Sequence, residues 1–254
     1  MKNLLLLFFL LCYNATFACH CRHKKFAEKY TQSDFVAIAK IVKVYKNEGA
    51  EMFYKADISI SALYKGNRTS SIYIWGSSDG NSRSSCDIFF PEGTELIIYA
   101  NRRSKTDYIF GSCSGYVNLT TKYNSKKREI DMLDSLKKLH INYTSKIRLG
   151  TGSFSGALEQ FKGIKLDRTY GLYEITFSSE LSVKSVRQII GFGDEIDNKL
   201  IQMLEKSGWV SSLHDSSAYE VIKNHIPDNS KHLVGFYFYP AEKGYQSFVS
   251  EYDL

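Results

Sequence analysis

The 254-residue sequence is short of proline, with three, and holds two tryptophans and five cysteines. It carries no internal repeat and no low-complexity tract, which excludes a solenoid and a compositionally biased linker protein. It has no HExxH, no P-loop, no GxGxxG after a strand pattern and no paired zinc-type CxxC. Nothing in it therefore asks for an enzyme, a bound cofactor or an intrinsic metal. Past residue 18 no apolar run is long enough to cross a bilayer, so no transmembrane segment is expected. Neither sign of charge dominates. The net charge is +6, or +5 without Lys2, a mild basicity that suits acidic surfaces in general and singles out no nucleic acid.

What is present favours a β-rich exported protein. The length allows one large domain or two ordinary ones, each with a proper core. The many Tyr and Phe residues, with Ile and Val, lean toward strands. Residues 1–18 read as a secretory signal: Lys2, the run LLLLFFLL, then the small-residue site Thr16-Phe17-Ala18. A lipoprotein signal ending at Cys19 ranks lower, because Thr16 and Phe17 stand where a lipobox has an aliphatic and a small residue. Cleavage after Ala18 removes Cys12 and leaves Cys19, Cys21, Cys86 and Cys113. An even count in an exported chain points to two disulfides and a secreted or periplasmic location. Three connectivities are possible. Cys19–Cys21 is disfavoured, since in extended chain such a pair projects in parallel too far apart to bridge. Each early cysteine then ties to a late one, closing loops that contribute roughly 4–5 kcal/mol each in the chain-entropy model.

Along the chain, residues 23–34 read as a short helix. FVAIAKIVKVY (35–45), residues 52–66, SSIYIWG (70–76), TELIIYAN (94–101) and DYIFGSC (107–113) read as strands, with a polar loop over 77–85. Residues 124–139 carry Ile130, Leu133, Leu136 and Leu139 at near-helical spacing. Five strands followed by a helix suggest a small closed barrel. Residues 141–165, with LGTGSFSG, read as a linker. A second unit over 166–254 begins with a hairpin (169–178 and 181–190). It continues with an amphipathic helix over 194–208 bearing Ile196, Leu200, Met203 and Leu204, and ends in a strand, HLVGFYFYP (232–240). This gives a β-β-α-β α+β domain. Trp209 and the GFYFYP aromatics read as core.

CHC at 19–21, the strand FVAIAKIVKV, LYKG (63–66), the stretch from Cys86 through FFPEGTELIIYA and GSC at 111–113 together resemble the netrin-like domain of tissue inhibitors of metalloproteinases (TIMPs), with LDSLKKL similar to the closing helix of bacterial members. The resemblance covers 19–140. It implies a five-stranded OB-type barrel with Cys19–Cys86 and Cys21–Cys113 bridges. It further implies that the Cys19 amine and carbonyl, at the mature N-terminus, chelate the zinc of a target metalloprotease, with His20 entering the adjacent pocket. The chemistry is sound, because catalytic zinc keeps an open position for water and an amine is a good ligand. The sequence departs from the inhibitors in three ways. His20 stands where they carry Thr or Ser, Arg22-His23-Lys24-Lys25 replaces an apolar Pro-containing run, and the cysteines of a third bridge are missing.

GLYEITFS, LSVKSVRQI, LIQMLEKSGW and VGFYFYP similarly resemble the C-terminal domain of TonB-type proteins over 169–240, with Ser179-Glu180 in place of the usual Asp-Gly turn. That domain would dock an envelope protein. In a Gram-negative setting the sequons at Asn67, Asn118 and Asn142 carry no glycan. Two functions compete. One is a secreted metalloendopeptidase inhibitor acting through Cys19. The other is a noncatalytic extracytoplasmic adaptor that uses the barrel and the TonB-like unit for protein contacts. A thiolate metal site in CHCRH (Cys19, His20, Cys21, His23) ranks below the disulfides, because oxidised sulfurs are not thiolate ligands. GSCSG (111–115) mimics a nucleophile elbow, but extended sequence follows it where a helix is needed. The basic clusters CRHKK and SKKRE read as solvated faces.

Overall fold

The computed structural model describes residues 21, 24–81, 84–120, 125–152, 154–214, 220–223 and 225–253. Residues 1–18, read as a signal, and Cys19 and His20 lie outside them. The chain is mainly β with a few helices.

The first half builds a closed five-stranded barrel. Its strands are β1 (Phe35–Val44), β2 (Phe53–Lys65), β3 (Ser71–Trp75), β4 (Glu95–Arg102) and β5 (Tyr108–Phe110). They follow the order β1-β2-β3-β5-β4, and β4 pairs back onto β1. All pairings are antiparallel except β3–β5. Register shifts along β1–β2 mark bulges, which bend a strand as barrel closure requires. The short β6 (Val117–Asn118) takes the part of the β4 edge that β5 leaves uncovered.

β1 and β4 are buried on both faces. Phe35, Ala37, Ala39 and Ile41 of β1 fill the barrel with Leu96, Ile98 and Ala100 of β4. Their neighbours Val36, Ile38, Ile97 and Tyr99 point outward into a second cluster. Strands covered on both sides read as continuous apolar runs, which is how FVAIA and LIIYA read.

That outer cluster holds α1 (Phe26–Gln32) and α2 (Ser125–Lys138) against the barrel. It also takes Leu172, Leu233 and Tyr237 from the second half of the chain, so the halves share a core. In the second half a four-stranded sheet runs β13-β12-β8-β9. It is made of β8 (Tyr170–Phe177), β9 (Val183–Ile190), β12 (Ser230–Tyr239) and β13 (Phe248–Ser250). β8 and β9 form the expected hairpin. One face of this sheet meets α1. The other buries Tyr173, Ile175, Phe177 and Phe236 against Leu200 and Leu204 of α4 (Asp194–Glu205). Asp197 fastens the start of α4 by accepting the N–H groups of Phe192 (2.8 Å) and Gly193 (3.0 Å) and the Tyr173 hydroxyl.

The segment read as a linker, 141–165, carries structure of its own. β7 (Ile147–Thr151) pairs with β10 (Trp209–His214), which also pairs with β11 (Glu220–Lys223). The short α3 (Ser155–Leu158) follows β7. The β-β-α-β reading thus misses these elements and β13. Trp209 is core, beside Phe154 and Phe177.

Leu233→Ala, at the join between the halves, should cost about 2–5 kcal/mol, whereas Val210→Ala at an exposed position should change stability by no more than about 0.5 kcal/mol. Denaturant unfolding of both variants measures the contrast.

Candidate functional site

Three segments meet at one end of the barrel, and each brings a cysteine. Cys21 precedes α1. Cys113 lies in a 3-10 turn (Ser112–Ser114) where the chain leaves β5 before rejoining the β4 edge at β6. Cys86 lies in the long connection between β3 and β4. Cys21 and Cys113 form a disulfide with Cα atoms 5.0 Å apart. Cys86 is also disulfide-bonded, to a cysteine outside the described residues. The expected Cys19–Cys86 bridge falls there, as do Cys19 and His20 themselves. The Sγ atoms of Cys21, Cys86 and Cys113 lie within 4.8 Å of one another, a spacing that would suit a metal. All three are oxidised, however, and so are not thiolate ligands. For the same reason Cys113 is no elbow nucleophile.

Local sequence explains this convergence. In Ser84–Asp87 the Asp87 carboxylate accepts the Ser84 N–H (3.1 Å), the Ser84 Oγ accepts the Cys86 N–H (3.1 Å), and a tight turn results. Gly76 ends β3 at φ +145°, and a Cβ there would sit 2.3 Å from the Ile88 carbonyl oxygen. Only glycine lets the Cys86 loop cross the strand so closely. The loop then drives Phe90 into the barrel mouth, where it meets Phe110 and Tyr116 and its N–H donates to the Tyr54 hydroxyl (3.1 Å). Large apolar side chains stay exposed around this end: Met52 (53%), Phe89 (40%) and Trp75 (37%). Trp75 lies over Gly111, two residues before Cys113, and its carbonyl accepts the Ile88 N–H. These aromatics sit in loop and strand-end positions, so spacing alone did not mark them.

A polar chain ties the site to both helices. At Gly115 (φ +87°) a Cβ would lie 2.6 Å from the Lys29 Cδ, so the lysine stem passes directly over that glycine. The Lys29 ammonium reaches the buried Glu129 of α2 at 2.7 Å, and Glu129 also accepts the Tyr99 hydroxyl at 2.6 Å. Burial, then the Glu129 charge, hold the Tyr99 phenol well above its usual range. A cleft of about 480 Å³ opens beside the disulfide, with Cys21, Cys113, Lys24, Lys25 and Lys29 in its walls.

A smaller cleft, about 240 Å³, lies between α1 and the second half, with Lys25, Glu28, Trp209, His232 and Glu251 on its walls. Burial against Trp209 (ring centroids 5.4 Å apart), then the Lys25 charge, push His232 down to about 4. Among the described residues no helix is long and apolar enough to cross a membrane. No protein-family model matches the chain, and neither does any curated protein.

Lys29→Met should cost about 3–5 kcal/mol, because it strands the Glu129 carboxylate in the interior. Adding Glu129→Gln should recover part of that loss, and a double-mutant cycle by chemical denaturation measures the coupling. His232 should stay neutral until near pH 4 in an NMR titration of its ring. The unfolded chain takes up this proton near pH 6.5 and the folded chain only near 4. The contribution of His232 to stability is therefore complete above pH 6.5 and falls as pH drops through that window. A midpoint above 6 would contradict the burial.

Proposed function

We propose that this protein is an exported, TIMP-like inhibitor of a zinc metalloendopeptidase, acting through the amine and carbonyl of Cys19 once residues 1–18 are removed. The observation that carries this reading is the stapling of Cys21 to Cys113 beside a bonded Cys86, at a barrel end ringed by exposed Met52, Trp75 and Phe89. The staple fixes Cys21 itself on the barrel, which in this reading cuts the ordering cost of binding. The exposed aromatics offer anchoring area next to it. The strand order with a parallel β3–β5 pair supports an OB-type barrel. The disulfides suit a secreted or periplasmic site.

The adaptor reading draws on one observation of its own. Among the described residues β9 pairs with β8 alone and ends the four-stranded sheet, an edge to which a partner strand can add. In that reading the TonB-like half holds an envelope protein and the barrel serves as scaffold.

Placing one Ala before Cys19 moves the free amine out of the chelate ring. Inhibition of a susceptible protease should drop about a hundredfold or more, roughly 2.7 kcal/mol or above. Melting temperature should hold, because the addition lies at a chain end. His20→Thr should keep or improve inhibition by removing bulk at the pocket mouth. Failure of both the native chain and His20→Thr against a broad metalloprotease panel would hand the barrel to the adaptor reading. Equal inhibition by the extended chain would remove Cys19 chelation as the mechanism.

A further inference from the structure

We propose that Cys21, Cys86 and Cys113 form one disulfide-exchange unit, in which the two bridges can trade partners without leaving the barrel end. Three observations carry it, and none depends on protease inhibition. First, each of the three sulfurs lies within 4.8 Å of the other two, although the cysteines belong to two different bridges. A sulfur about one ångström beyond contact distance is already placed for attack, and such proximity replaces an encounter in solution. Second, the cleft of about 480 Å³ gives solvent access to Cys21 and Cys113, and the Cys113 residue is exposed. Third, the cleft walls carry Lys24, Lys25 and Lys29 against Glu129 and Asp253, three ammonium groups to two carboxylates, a modest positive excess on the side of the thiolate that any exchange must form and release. Lys25 and Lys29 keep their acid partners Glu251 and Glu129, so the cleft is held in shape while the sulfurs trade.

The step conserves bonds and electrons. An external thiolate, such as glutathione, attacks the Cys21 Sγ in the cleft. A mixed disulfide forms there, the Cys21–Cys113 bond breaks, and Cys113 leaves as a thiolate. The Cys113 Sγ then attacks the Cys86 Sγ. The Cys86–Cys113 bond forms, the earlier Cys86 bridge breaks, and the electron pair departs on the displaced cysteine, which takes a proton from water. One protein disulfide is kept throughout, while the segment before α1 loses its tether. The N-terminal attachment is thus an exchangeable one.

Cys21→Ser tests this, since it leaves Cys113 as a thiol facing the Cys86 bridge. The purified variant is held at pH 8, quenched with acid, alkylated and mapped without reduction. We expect a Cys86–Cys113 peptide to accumulate, with the alkyl label moving from Cys113 to the displaced cysteine. The rate should fall about tenfold per unit of pH below the thiol pKa. All label on Cys113, with no Cys86–Cys113 peptide, overturns the proposal. Should that variant not fold, the native chain in a glutathione redox buffer at pH 8 decides instead. Peptides linking Cys86 to Cys113 or Cys21 support exchange, and persistence of Cys21–Cys113 as the only bridge between these three overturns it.

Discussion

The seven residues of α1 hold the molecule together. A helix this short has no stability of its own in water. It persists because Phe26, Ala27 and Tyr30 are buried in the cluster shared by the barrel and the second half. Each end is also fixed. The Cys21–Cys113 disulfide ties the chain just before it. At its far end the Lys65 ammonium donates to the Tyr30 carbonyl (3.0 Å), an oxygen that a helix terminus leaves open, and to the Tyr143 carbonyl (2.9 Å) in the segment after α2. The Tyr30 hydroxyl in turn donates to the Ile141 carbonyl.

This arrangement places expensive groups in the interior. Lys65 is buried, and desolvation pushes its ammonium down to about 8. The carbonyls around it oppose that shift by binding the charged form. Glu129 is buried with Lys29 and Tyr99, and Glu174 is buried while its partners Arg187 (2.9 Å) and Lys231 (3.2 Å) reach it from the surface. Pairs of this kind add little net stability against an apolar core. They do punish any packing that separates the partners, and so they select one placement of α1 and α2. The cysteine-bearing end of the barrel inherits that fixity, because Lys29 passes over Gly115 on its way to Glu129.

Much of the barrel was legible in the sequence. FVAIAKIVKVY reads as a strand over 35–45 and forms one over Phe35–Val44. LIQMLEKSG announces α4, whose Leu200 and Leu204 are fully buried. The Cys21–Cys113 bridge implied by the family resemblance is present. What escaped has physical reasons. β7 is a five-residue stretch broken by Gly150 and half-buried throughout, so it shows no alternation. β10 and β11 follow Trp209 in mixed polar sequence and are strands because they pair with β7 and each other. The Lys29–Glu129 pair joins residues 100 apart, and one charge among many lysines carries no sign of its partner. The shared core also hides in sequence, because Leu172 and Leu233 look like ordinary strand residues of their own sheet.

If α1 is held by both halves and by its bridge, its amides cannot open without the rest. Native-state hydrogen exchange reads this directly at the Lys29 amide, which donates to the Lys25 carbonyl. The expected result is exchange of this amide with the same opening free energy as the amides of Ala37 and Ile98 in β1 and β4, close to the global value. Rapid exchange of Lys29 while Ala37 and Ile98 stay protected would contradict the account, because it would show α1 fraying as an independent terminal helix.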